Sequence, residues 1–167
     1  MVSGHSERWL YQRLKDIVEG ELVLKISKDK SKVVDVEKEV VGFLGFEIKR
    51  VKSRRSGKKY AICYPSKKAM KGIYEKVRKI ANPLTPIGVE DMIRRLNRLL
   101  RGWVNYFRIG HASKWFSKIK DYVTMKVRRF IRKKQNKAGL GWKAIKREYL
   151  YKDLGLYNDY RVSWRSA

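Results

Sequence analysis

Between Ser66 and Ile131, three successive stretches repeat an apolar residue at every third or fourth position, with Lys and Arg in most of the places between. That spacing puts one apolar stripe on one side of a helix, so this part of the chain is constrained to pack as amphipathic helices. Ser66 is placed to cap a helix that turns Ala69, Met70, Ile73, Tyr74, Val77 and Ile80 inward and ends before Asn82-Pro83. Thr85 to Gly88 is a loop. A second helix begins near Val89, where Glu90 and Asp91 suit the positive end of the helix dipole. Its inward stripe is Val89, Met92, Ile93, Leu96, Leu99, Leu100, Trp103 and Phe107, and Gly110 ends it. Ser113 is expected to cap a third helix with Phe116, Ile119, Val123, Val127, Phe130 and Ile131 inside. Asn136 to Gly141 forms a loop, Trp142 to Leu150 a short final helix, and the stretch after it has no assignable pattern.

Before Pro65 the period is different. Ser6 to Glu19 carries Trp9, Leu10, Leu14, Ile17 and Val18 at helical spacing, with Gly20 as its stop. Leu22–Ile26, Lys32–Val36 and Val40–Val51 are β-branched or aromatic runs, each expected to be a strand. Arg54-Arg55-Ser56-Gly57-Lys58 reads as a hairpin loop with Tyr60–Tyr64 as its return strand. The expected fold class is α+β: one N-terminal helix with a small antiparallel sheet over 1–64, a helical bundle over 65–156, and a tail over 157–167.

The charge then narrows the partner. Lys and Arg number 42 against 16 Asp and Glu, a net charge of +26 in 167 residues. Such a chain repels itself without counter-charge, so a polyanion is the expected partner. A membrane-surface protein usually confines its cations to one helix or a short tract. Here they run the length of the chain among Trp, Tyr and Phe, which suits nucleic acid, where phosphate contacts release counterions and aromatic rings stack on bases. The candidate contacts on the second helix are Arg94, Arg95, Arg98, Arg101, Asn105 and Arg108. Those on the third are Lys114, Lys118, Arg128, Arg129, Arg132, Lys133 and Lys134, followed by Lys143, Lys146 and Arg147. Arg128, Arg129, Arg132 and Lys133 are expected to share an accessible face that can be neutralised without loss of stability.

Little in the chain points to catalysis. Polymerase chemistry needs clustered carboxylates to hold two metal ions. Glu90-Asp91 is explained by the helix start, and Asp29 and Asp35 have no acidic neighbour. His5 and His111 lack a ligating partner in sequence, and the single cysteine, Cys63, excludes an internal disulfide or a multi-Cys zinc site. No Gly-rich phosphate loop is present. No cofactor, metal site or catalytic residue is expected, and the chain is not expected to be an enzyme on its own. With no secretory pattern at Met1–Glu7 and no apolar run of the ~20 residues a membrane helix needs, the expected location is the cytoplasm.

The stretch Leu96-Asn97-Arg98-Leu99-Leu100-Arg101-Gly102-Trp103-Val104-Asn105-Tyr106-Phe107-Arg108 resembles the signature of the maturase-specific domain of group II intron-encoded proteins, the thumb of their reverse transcriptase. Pro65 to Met70 followed by Val77 to Ile80 is similar to the start of that thumb, and Trp142 through Tyr149 to its end. Leu24 to Val33 resembles the end of the reverse transcriptase palm, and Gly42-Phe43-Leu44-Gly45-Phe46 its primer-grip hairpin. The resemblance implies a palm remnant over 1–64 and a maturase thumb over 65–156. It implies a module that binds structured intron RNA to assist splicing, and that grips template-primer within a full RNA-directed DNA polymerase.

The Tyr-Ala-Asp-Asp hairpin of that family is absent from this chain. Met1, just downstream of where that hairpin is expected, fits a C-terminal subunit working with a catalytic polypeptide in trans, or a truncated frame. A general basic nucleic-acid-binding protein is the other alternative. Within the motif, Gly102 costs a helix about 1 kcal/mol relative to Ala, so either another backbone or a phosphate comes close there. Trp103, Tyr106 and Phe107 are either core or base platforms, Asn105 is expected to bond a neighbouring loop or helix end, and Arg108 to contact RNA.

Overall fold

The computed structural model describes residues 7–26 and 34–163. The chain divides into two compact units, Met1–Glu39 and Val40–Ala167. In the first, helix α1 spans Glu7–Lys15 and widens into a π-helical turn over Asp16–Glu21 that runs past Gly20. Leu22 and Leu24 donate their amides back to Ile17 and Val18. The strand expected over Leu22–Ile26 does not form: Val23 has φ +55°, a left-handed conformation that no ladder accommodates, and no strand lies beside it among the described residues. Of the Lys32–Val36 run, residues 34–36 are coil and turn, Asp35 accepting the amides of Glu37, Lys38 and Glu39. Residues 32 and 33, most of the Leu24–Val33 motif, His5 and Asp29 lie outside the described residues.

The second unit opens with a three-stranded antiparallel sheet, β1 (Val41–Phe43), β2 (Phe46–Lys52) and β3 (Lys59–Pro65), in that order. The run Val40–Val51 is therefore two strands, folded at Leu44-Gly45 where the resemblance implies a hairpin. Both turn residues have positive φ (+46° and +82°), as a tight two-residue hairpin matched to strand twist requires. Phe43 pairs with Phe46 across it. The second hairpin, around Arg54–Lys58, is as the sequence predicts, with Lys52 paired to Lys59.

Helix α2 (Lys67–Ile80) starts as expected: the Ser66 hydroxyl accepts the Ala69 amide at 3.1 Å. Helix α3 covers Val89–Phe107 and helix α4 Ser113–Lys134. Ser113 is the first helical residue and caps nothing; buried Ala112 holds the cap position. The bundle core is Met70, Ile73 and Val77 from α2, Met92, Ile93, Leu96 and Leu100 from α3, and Ile119, Val123, Val127 and Phe130 from α4. Val104, Phe107, Ala112 and Phe116 form a second cluster, against which Phe46 of the sheet packs.

Two contacts lock the sheet to the helices. Ser66 donates its amide to Gly45 O at 2.8 Å, and the Tyr106 hydroxyl donates to Leu44 O at 2.8 Å. In the α3–α4 link, Gly110 (φ +102°) lies so close to Cys63 that an added Cβ would clash with its Sγ and carbonyl, while the adjacent His111 amide donates to Cys63 O at 2.7 Å.

The final helix expected over Trp142–Leu150 is broken. Residues 142–144 are a turn, and a π-helical turn occupies Tyr149–Asp153. The turn is drawn onto α4 by buried Ile145, whose carbonyl accepts from Arg128 Nε at 2.8 Å. Beyond it Leu156 is buried and Tyr157, Tyr160 and Val162 pack on the helices, so 157–163 is a docked segment.

Candidate nucleic-acid interface

Helix α3 presents Arg94, Arg95, Arg98, Arg101 and Asn105 to solvent because its apolar stripe faces the bundle. Arg94 and Arg95 both bridge to Asp91 at 2.8 Å, and the Arg94 hydrogen bond, then that of Arg95, holds the Asp91 carboxyl below its ordinary range. Arg98 and Arg101 have no carboxylate partner among the described residues. Together with Asn97, Gly102 and Asn105 they line a groove of about 780 Å³ between α3 and the π-helical turn at Asp153.

At Gly102 the expectation of a close backbone is not met. A Cβ there would meet nothing within 4 Å, so no neighbouring backbone requires the glycine. Asn105 also departs from expectation, being exposed and facing the groove. The brace expected of it is made by Asn97, which donates to Gly155 O at 2.8 Å and accepts the Tyr157 amide at 2.7 Å. Trp103 and Phe107 are core; Tyr106 is half exposed, its hydroxyl on the hairpin turn.

Arg108, expected on RNA, is turned inward. It pairs with Asp159 at 2.7 Å and reaches Tyr157 Oη, and the Asp159 hydrogen bond raises its pKa. Arg128 is the larger correction. It is only 2% exposed, donates to Ile145 O, and lies under the Trp142 ring with its guanidinium carbon 4.4 Å from the ring centroid. Burial, then repulsion from Arg147, lowers its pKa. Residue 128 falls on the inward side of α4 because it lies three positions before Ile131 and four after buried Thr124. Arg132 is bound to Ala138 O at 2.6 Å, Lys134 to Thr85 O at 2.8 Å, and Arg147 to Asp121 at 3.1 Å. The supposed face of Arg128, Arg129, Arg132 and Lys133 thus reduces to Arg129 and Lys133. Lys114, Lys118, Arg129, Lys133, Lys143 and Lys146 are exposed.

Of the primer-grip-like residues, Phe43 and Leu44 are exposed at 61% and 67%, and Phe46 is packed against Tyr106 and Phe107. Of the two glycines, Gly45 has a backbone that favours glycine, whereas Gly42 lies in β1 with open space around it. A second groove, of about 620 Å³ between β3, α2 and α4, escaped the sequence reading. It combines the stacked pair Tyr64 and Trp115 (centroids 4.5 Å apart) with Lys67, Lys71 and Arg78. Burial, then Glu47, pushes the Tyr64 phenol up. The signal was the Lys67/Lys71 pair, four apart on α2 and flanking its apolar stripe. No cluster of three metal-ligating side chains occurs among the described residues, and no helix there is long and apolar enough to cross a membrane.

The docked segment carries a pH dependence. Hydrogen bonds from Arg161, then Arg108, lower the Asp159 pKa below its ordinary 3.8. Its stabilising effect is complete above that ordinary value and disappears as pH falls through the lower value in the fold. The Asp159→Asn variant is therefore expected to melt below the wild type at neutral pH, the gap closing in strong acid; a gap independent of pH would remove the ion pair as its cause.

No curated protein matches the chain. Residues 70–150 match the family model of the group II intron maturase-specific domain. The match runs from within α2 to the start of the last π-helical turn, taking in α3, α4 and Arg128. Such a domain is a module of intron splicing and is not catalytic by itself. Over residues 70–150, then, this chain is similar to the group II intron maturase-specific domain.

Proposed function

We propose that the chain binds structured group II intron RNA through cations on α3 and α4, and that in a full reverse transcriptase the same helices and the β1–β2 hairpin grip the template-primer. In this reading 1–64 is the remnant of a palm and 65–156 the thumb. Recognition is electrostatic and shape-based: Lys and Arg meet phosphates and 2′-hydroxyls of a folded RNA, with no readout through base edges.

One observation carries the proposal. Gly102 stays open at the floor of a groove whose Arg98 and Arg101 have no carboxylate partner among the described residues. With no internal neighbour to fill the space, the glycine leaves room for a phosphate to approach the helix beside Arg98 and Arg101.

The test is Arg98→Ala combined with Arg101→Ala. RNA affinity is expected to fall about 10–100-fold, and the slope of log K against log salt to shrink by about two. Stability should change by no more than about 0.5 kcal/mol. Unchanged affinity would remove the groove from the interface. Equal affinity of the wild type for intron RNA, unrelated RNA duplex and DNA would favour the general basic binder.

A further inference from the structure

Trp142 is left over by that account. The residue is 51% exposed, yet its ring is not adrift. One face lies over the guanidinium of Arg128, which is buried and held by Ile145 O; the turn beneath is closed by the Ile145 amide on Gly141 O at 2.8 Å. With one face covered and the residue half exposed, the opposite face is open to solvent. A ring fixed from beneath loses little conformational freedom when a flat partner settles on it.

The charge of the chain segment that carries it selects that partner. From Asp121 to Glu148 the chain has ten Lys and Arg and no carboxylate between. Of these, Arg129, Lys143 and Lys146 are exposed and have no carboxylate partner among the described residues. An apolar protein segment or a proline-rich peptide would leave these cations uncompensated. A nucleotide supplies both a π-face for the indole and a phosphate for the cations.

We infer that Trp142 is a stacking platform for one unpaired nucleotide flanking the structured RNA, with Arg128 as the residue that positions it. The inference rests on RNA binding by the chain, and adds that the RNA seated there carries a single-stranded flank.

The experiment compares a blunt RNA duplex with the same duplex bearing a three-nucleotide flank that contains 2-aminopurine, using the full chain. The wild type is expected to bind the flanked RNA about tenfold or more tighter, since one stacked base contributes ~1–3 kcal/mol, and to quench the 2-aminopurine. Trp142→Ala is expected to lose the preference and the quenching while binding the blunt duplex as before, and Trp142→Phe to keep most of both. Trp142→Ala retaining the flank preference, or wild type showing no quenching, overturns the platform and leaves RNA binding standing. Failure of the wild type to bind either RNA overturns both.

Discussion

Raising monovalent salt from 50 to 200 mM is expected to weaken binding of this chain to structured RNA by about a thousandfold or more. Each neutralised phosphate releases condensed counterions, so the logarithm of affinity falls linearly with that of salt, and roughly six contacts suffice for a loss of this size. Of the sixteen candidate residues, eight carry a free cation among the described residues: Arg98, Arg101, Lys114, Lys118, Arg129, Lys133, Lys143 and Lys146. Of the others, Asn105 carries no charge and the rest are paired with a carboxylate or bonded to a backbone carbonyl of the protein itself. Filter binding or anisotropy across a salt series measures the slope directly. A nearly flat response would reject an electrostatic interface, whatever the net charge of the chain.

Arg128→Ala is expected to cost the fold about 3 kcal/mol, through loss of the charged hydrogen bond to Ile145 O and the cavity left under Trp142. Arg128→Met keeps the side-chain stem and should cost about 1–2 kcal/mol. Arg129→Ala, one residue along on the exposed side of α4, should change stability by less than about 0.5 kcal/mol. Urea denaturation of the three variants separates these values. If Arg128→Ala unfolds with the wild-type midpoint, the residue is not the internal brace its burial indicates.

The helical half of the fold was legible because its signal is local. The i, i+3, i+4 stripes of α2, α3 and α4 place Met70, Leu96, Phe116 and Val123 in the core as the spacing predicts, and the Ser66 cap is a three-residue motif. Leu22–Ile26 has the composition of a strand, but among the described residues nothing pairs with it, and strand prediction fails there. Asn105 was credited with a brace made by Asn97, eight residues earlier on the same helix, because nothing in local spacing says where residues 155–157 will lie.

Chain chemistry alone determined the amphipathic helices, the Arg54–Lys58 hairpin, the excess of positive charge and the motif of residues 96–108, which lies inside the matched region. Only tertiary structure decided which cations remain free. Arg108 finds Asp159, 51 positions away, and Arg128 finds Ile145, 17 away. An arginine on a helix flank is a ligand site or an internal brace according to what folds back against it, and that partner comes from contacts distant in sequence. The same distant packing left the groove beside Gly102 open.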